Sequence, residues 1–492
     1  MAAAAFSRVL GPGICSVRLI ESEEIGTVGV GEATLPHMKS FNDLIGLDEV
    51  EMMRETNATF KLGIDFVDWG GKGRRYVHPF GDHGRPAFGL PFYQHWLRAV
   101  QGGAEFDIGD FSYAVVASRL NRFDFPSSDQ QRIESTYSYA YHFDASIYAR
   151  MLRRLSEAAG VVRTEGKVRE VRQDPLTGDI ASLELESGES VAGDFFIDCS
   201  GFRSLLLGQT LGAEWESWSQ WLPCDRAFAV PSARATDFSP YTRSTCREAG
   251  WQWRIPLQHR TGNGHVFASH FISEDEAAAT LMANLPEEAQ GDPRLLRFEA
   301  GRRLKSWSRN CVGLGLASGF LEPLESTSIY LIQVAIVHLL PLLPTKPVDP
   351  VLADEFNRRI EIEYERIRDF LILHYHATDR DDSELWRYCR AMPIPESLER
   401  KLALFRHSGF IEQYRDGLFT LPSWVAVYAG QGVKPIDHHP LADALPYDRL
   451  IADLERLRDE VRQRVEAMPA HDAFVARYAP AGAPAQAKAL RR

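Results

Sequence analysis

This sequence has little of what would mark a secreted, membrane or nucleic-acid-binding protein. Its 492 residues include six cysteines (Cys15, Cys199, Cys224, Cys246, Cys311, Cys389), scattered without a C-x-x-C pair. That argues against a disulfide framework and a zinc site, and it suits a reducing cytoplasm. Positive charge is scarce: 55 Lys and Arg against 67 Asp and Glu give a net charge of −12. General nucleic-acid binders are more often basic, so no nucleic-acid partner is expected. The apolar opening has no basic leader and meets Arg8 almost at once, which is too short for a secretory signal. Long apolar runs are missing as well. The longest, 329–343, is interrupted by Gln333, His338 and Pro341 and reads as a buried helix, so no membrane partner is expected. The localisation these absences imply is cytoplasmic.

A glycine loop is also lacking where one should stand. Residues 2–10 read as an Ala-rich helix, G-P-G (11–13) breaks it, and C-S-V-R-L-I-E (15–21) reads as a strand ending in Glu21. Helix, turn, strand and terminal acid make the second half of a βαβ dinucleotide unit, whose acid accepts hydrogen bonds from a ribose. A solvated glutamate at a strand end is the plainer alternative. The preceding strand and G-x-G-x-x-G loop, which bring backbone N–H groups to a pyrophosphate, do not occur. A start downstream of the natural one is the expectation; weak cofactor binding is the alternative.

What is present is ordinary in bulk, 45% hydrophobic and 25% charged, and long enough for two or three structural units. F-K-L-G-I-D-F-V-D-W (60–69) alternates, with Phe60, Leu62, Ile64 and Phe66 on one face and Lys61, Gly63 and Asp65 on the other. Residues 144–159 read as an amphipathic helix, 161–197 as several strands, and 251–256 and 265–271 as further strands. L-P-T-K-P-V-D-P (343–350) is a Pro-rich junction, beyond which 352–376, 396–406 and 446–467 read as helices. There is no internal repeat. The fold class expected is α/β: a nucleotide-binding body with sheets over 1–345, a mainly helical part over 346–478, and a disordered tail over 479–492.

Three segments carry chemistry. G-V-G-E-A-T-L-P (29–36) follows the acidic strand end, and its small residues allow close backbone approach while Glu32 and Thr34 offer polar contacts; a tight turn is the alternative. D-F-F-I-D-C-S-G-F-R (194–203) is a strand ending in Asp198 and a glycine turn, like a strand near the flavin of hydroxylases. C-V-G-L-G-L-A-S-G-F (311–320) runs through L-E-P-L-E-S-T-S (321–328) into an apolar helix. That helix N-terminus would suit a flavin ring or a halide. Simple capping by Ser326 or Thr327, with Glu325 complementing the dipole, is the competing reading.

Together, G-V-G-E-A-T-L-P, F-K-L-G-I, W-Q-W-R-I-P (251–256) and G-F-L-E-P-L-E-S-T-S (319–328), in this order, resemble the flavin-dependent tryptophan halogenase family. W-x-W-x-I-P separates that family from related monooxygenases. The resemblance implies an FAD-binding, hydroxylase-like body. It implies FADH2 from a separate NAD(P)H-dependent flavin reductase, and oxidation of chloride or bromide by O2 to hypohalous acid. A lysine then captures or hydrogen-bonds that acid beside an electron-rich arene, and a carboxylate assists substitution. Carried over, Lys61 is the lysine and Glu325 the carboxylate. Thr327 and Ser328 match the halide pair, whose second member is commonly Gly. Glu21, Ile25, Ala33, Val168, Asp198, Leu316 and Ile329 fall at FAD-binding positions.

His78 and Phe80 match an H-x-F whose rings stack on the substrate, and Trp424 is the candidate opposite wall. The tyrosine-rich stretch that grips the amino-acid end of tryptophan is replaced by F-R-H-S-G-F-I-E-Q-Y (405–414), with only Glu412 and Tyr414 to serve. That points to an indole derivative rather than free tryptophan. By analogy the resemblance admits a homodimer. Two rival readings are an FAD-dependent aromatic monooxygenase, indifferent to halide and to Lys61, and a non-catalytic flavin-binding homologue.

Overall fold

The computed structural model describes residues 1–25, 32–236, 238–344, 348–414 and 417–482. The 29–31 part of the first glycine-containing motif, the 345–347 part of the Pro-rich junction and the tail 483–492 lie outside them. Ala479, where the sequence predicts the tail to begin, is buried, and its carbonyl accepts from Gln258 Nε2 (3.0 Å).

Helix starts follow local chemistry. Asp144 caps Ala145–Ala158, its carboxylate accepting from the N–H groups of Ser146 (3.0 Å) and Ile147 (3.2 Å). Asp349 caps Pro350–His376, with Pro350 in the first turn, where a missing N–H costs nothing. Residues 367–375 of that 27-residue helix are all buried, so its C-terminal half runs through the core rather than along it. From Pro350 onward every regular element among the described residues is helical. No helix there is long and apolar enough to cross a membrane.

Among the described residues, the strands lie in the first 320 positions. The largest sheet has seven, ordered Arg294–Arg297, Arg226–Ser232, Thr261–Phe267, Gly250–Pro256, Thr242–Arg247, Gly63–Val67 and Arg75–Pro79. The W-Q-W-R-I-P segment is thus a central strand. A Cβ on Gly264 opposite would fall 2.0 Å from the Trp253 ring, so a glycine is required there. The strand expected at 265–271 instead spans Thr261–Phe267, and Phe271 N–H turns back to the Ala268 carbonyl (2.9 Å). Two parallel pairs, Arg18–Glu21 with Val162–Glu165 and Phe196–Asp198 with Cys311–Gly313, end in the acids Glu21 and Asp198. Carboxyl ends of parallel strands are where α/β folds receive nucleotides.

The alternating segment 60–69 is not one strand. Thr59–Lys61 pairs with Ala140–Phe143 in a three-stranded sheet, while Gly63–Val67 joins the large sheet. Leu62 is the pivot, since its N–H bonds the Pro240 carbonyl (2.7 Å) and its carbonyl accepts from Phe80 N–H (2.8 Å). Lys61 and Asp65 therefore do not share an environment. Lys61 points into the core; Asp65 is clasped by Arg75 (2.6 Å) and Arg243 (2.9 Å), both partly exposed. The helix His471–Tyr478 returns to back the lysine strand, where Phe60 N–H donates to His471 Nε2 (3.2 Å).

Candidate active site

Lys61 is fully buried at the end of its strand. Its Nζ donates to the Thr34 carbonyl (3.0 Å) and the Ser326 hydroxyl (2.9 Å), and lies 5.1 Å from the centre of the Phe80 ring. Burial pushes the amine down to about 7, against the partly offsetting charge of Glu325. Near neutral pH it therefore exists both as ammonium and as nucleophilic amine. Thr34 is held in turn: its hydroxyl donates to the Tyr141 carbonyl (2.8 Å) and accepts from Tyr141 N–H (3.0 Å).

Glu325 ends a short turn, Pro323–Glu325, just before the helix Thr327–Leu339. It too is fully buried. His78 Nδ1 lies 3.0 and 2.9 Å from its two oxygens. His374 Nε2 stands 2.9 Å from Oε1, in ion-pair contact though poorly aligned for a hydrogen bond. Burial raises the carboxyl, but the two imidazoles outweigh it and hold the group at about 2. Glu325 is thus ionised throughout the neutral range.

Capping does not explain the turn. Ser326 precedes the helix in a left-handed conformation (φ 59°), but its side chain makes no cap bond and instead receives Lys61. Thr327 Oγ1 is buried with no partner, beside the N–H groups of the first helical turn. An unpartnered hydroxyl and helix N–H groups are donors suited to an anion. Ser328 follows, partly buried.

The aromatic residues form a chain rather than two bare walls. His78 contacts Phe370 (5.5 Å between centroids) and Phe419 (6.0 Å); those two stack at 3.9 Å, and Phe370 meets Trp424 at 5.2 Å. Trp424 lies on the helix Leu421–Gln431, with the Lys401 ammonium 5.2 Å from its ring centre. Glu412 is already engaged by Arg400 (3.0 Å) and the Tyr414 hydroxyl (3.0 Å). Next to the lysine sheet is an open hollow of about 540 Å³ lined by Pro36, His37, Phe125 and Tyr139, among others.

At the cofactor end, Glu21 pairs with Arg153 and Arg163, both at 2.6 Å. Asp198 accepts from the backbone N–H groups of Leu206 and Leu207 (2.9 Å each). Val168 and Leu316 are half-buried, Ala33 is buried, and Ile25 is exposed. Leu316 lies in the turn Gly315–Ala317, which packs against the helix carrying Ile329. Small residues in that turn, two acids at parallel strand ends and the donors at Thr327 are of the chemical types that a flavin nucleotide requires. Sequence reasoning does not single out His374, Ser326 as a lysine partner, or the pair Trp251–Glu322. No motif marks His374; it lies 49 residues beyond Glu325 on a helix of ordinary composition.

Comparison with known proteins identifies the family. The tryptophan halogenase family signature matches residues 1–447. A flavin-dependent halogenase from Xanthomonas campestris is 46% identical, with a TM-score of 0.94 over 98% of this chain and 97% of that one. BrvH, a flavin-dependent halogenase from Brevundimonas sp., is 41% identical, with a TM-score of 0.94 over 97% and 96%. Tryptophan 7-halogenase KtzQ of Kutzneria sp. is 33% identical over 97% of this chain and 96% of its own length. The chain belongs to the tryptophan halogenase family and is an FADH2-dependent halogenase.

Proposed function

We propose that this enzyme halogenates an electron-rich arene, an indole derivative, with Lys61 carrying the electrophile and Glu325 assisting substitution. The observation that carries the reading is the fully buried Lys61 amine, lowered to about 7, within reach of the charge of a histidine-clamped carboxylate. Bound FADH2, with O2, supplies the oxidation that turns halide into hypohalous acid. FAD would be held by Glu21, Ile25, Ala33, Val168, Asp198, Leu316 and Ile329. Chloride or bromide would be held by Thr327 and Ser328, a role supported by the unpartnered Thr327 hydroxyl.

Lys61 as free amine takes the halogen from hypohalous acid, releasing water; as ammonium it donates a hydrogen bond to the acid. Either way the electrophile is kept at Nζ. Attack by the ring on that halogen breaks its bond to nitrogen or oxygen, the released amide nitrogen or hydroxide taking up a proton, and gives a cationic intermediate, which the Glu325 charge stabilises. A carboxylate at about 2 is a weak base, yet it suffices for the strongly acidic proton of that intermediate. His78 and Phe80 flank the ring, and Trp424 closes the site from the helical side. Glu412, tied to Arg400, is poorly placed to grip an amino group, which favours indole or a substituted indole over free tryptophan. A separate flavin reductase is the partner that delivers FADH2.

The test is mass spectrometry of indole incubated with the protein, FAD, a flavin reductase, NADH and bromide or chloride. A halogen isotope pattern that disappears in Lys61→Ala supports the reading. A hydroxylated product that is indifferent to halide would replace it with monooxygenation.

A further inference from the structure

Glu322, three residues before Glu325, has no part in the mechanism above, and the inference made here rests on that mechanism. The side chain is fully buried, and among the described residues no cation contacts it. Its Oε1 accepts from the Trp251 indole (3.0 Å) and the Tyr375 hydroxyl (2.7 Å), and the same hydroxyl lies 2.9 Å from Oε2. Burial pushes this carboxyl up, whereas Glu325 is held down. The two acids of one turn therefore have opposite surroundings.

The connections converge on that turn. Tyr375 adjoins His374, so consecutive residues of the helix Pro350–His376 touch Glu322 and Glu325. Trp251 brings the strand Gly250–Pro256 to the same place. The far end of that strand reaches the lysine strand, where the Pro256 carbonyl accepts from the Thr59 hydroxyl (2.7 Å), two residues before Lys61. Between Glu322 and the helix lies Ser326, whose left-handed backbone is uncommon for serine and persists only under constraint. Its own side chain supplies no cap to impose that constraint, because it is occupied by Lys61.

We propose that Glu322 is a positioning residue: gripped by Trp251 and Tyr375, its carboxyl pins the turn 322–326 so that Glu325 and Ser326 stay in register with Lys61. The W-x-W-x-I-P strand then acts as a spacer between the two halves of the reacting centre.

The experiment supplies the full chain with FADH2 from a flavin reductase, bromide, indole and an excess β-diketone that traps free hypobromous acid. Wild type, Lys61→Ala, Glu322→Leu, Glu322→Gln and Tyr375→Phe are compared for bromoindole and brominated trap per FADH2 oxidised. Positioning predicts that Glu322→Leu lowers bromoindole about tenfold or more while brominated trap rises. Glu322→Gln, which keeps shape and acceptor, restores at least about half of the bromoindole. Tyr375→Phe falls between them and stands in should the leucine variant not fold. A further readout needs no turnover: the His78 ring ¹⁵N shifts of flavin-free Tyr375→Phe move with the turn. Parallel loss of both products, unchanged bromoindole in both variants, or unmoved His78 shifts overturns the proposal. Bromoindole persisting in Lys61→Ala would instead overturn the mechanism on which it rests.

Discussion

The neighbourhood of Lys61 and Glu325 and the neighbourhood of Glu21 and Asp198, each proposed above to receive a ligand, assemble charge by opposite means. The first is dry. Lys61, Glu325, His78 and His374 are almost fully buried, and they come from four elements spread over more than 300 residues. The second is wet at one corner: Glu21 is 32% exposed and shares arginines that are themselves partly exposed. A buried charge that loses its partner costs several kcal/mol, whereas an exposed pair is worth about 0–1 kcal/mol. The proposed reacting centre is therefore preorganised before any ligand arrives, while the proposed nucleotide end must exchange existing contacts for new ones.

The sharpest way to break that contrast is Lys61→Ala. Halogenated product should fall by about a thousandfold or more, with the dissociation constant for FAD within about twofold of wild type. Stopped-flow turnover and flavin fluorescence titration check the two halves, and a large change in flavin affinity would erase the proposed division of labour. Glu325→Gln should cost about a hundredfold in rate, because the amide keeps the shape but neither stabilises the cationic ring nor accepts its proton. Initial rates within about threefold of wild type would remove Glu325 from the chemistry.

Preorganisation has a cost in stability, with a definite pH dependence. Lys61 titrates at about 7 in the folded chain against 10.5 for an unperturbed lysine, so between those values the unfolded state binds more protons and stability rises with pH. Below pH 7 the buried ammonium destabilises the fold in full. Lys61→Met should thus be more stable than wild type by about 2–5 kcal/mol at pH 6, and that advantage should shrink steadily above pH 7. Denaturant midpoints across the range test this, and an advantage independent of pH would mean that the amine is not desolvated.

The same contrast explains how much can be read from the sequence. Lys61, His78, Phe80, Glu325 and Thr327 lie in short local motifs, and the structure brings them to one place. The α/β body and the helical run after the Pro-rich junction follow from periodicity that local chemistry enforces, as at the caps Asp144 and Asp349. What stays hidden depends on long-range contact. The division of 60–69 into two sheets is decided by the Pro240 carbonyl, far along the chain. His374 and His471 look like any helical histidine until the fold carries one to Glu325 and the other to Phe60. Ser326 reads as a cap because capping is local; its true partner, Lys61, is 265 residues away.

The smallest effect is expected at the nucleotide end. To hydrogen-bond a ribose, the Glu21 carboxylate must share or surrender its contacts with Arg153 and Arg163, both at 2.6 Å. A hydrogen bond gained at the expense of a partly exposed ion pair yields about 1 kcal/mol net, or about fivefold in affinity. Glu21→Gln should therefore weaken FAD by no more than about fivefold, and raising salt from low to physiological levels should widen the gap slightly, since the screened arginine pairs compete less for the wild-type carboxylate. Titration of FAD into both proteins at two ionic strengths measures this directly. A loss of about fiftyfold or more would mean that Glu21 is bound to the nucleotide as firmly as Glu325 is to its histidines, and that the nucleotide end is preorganised too.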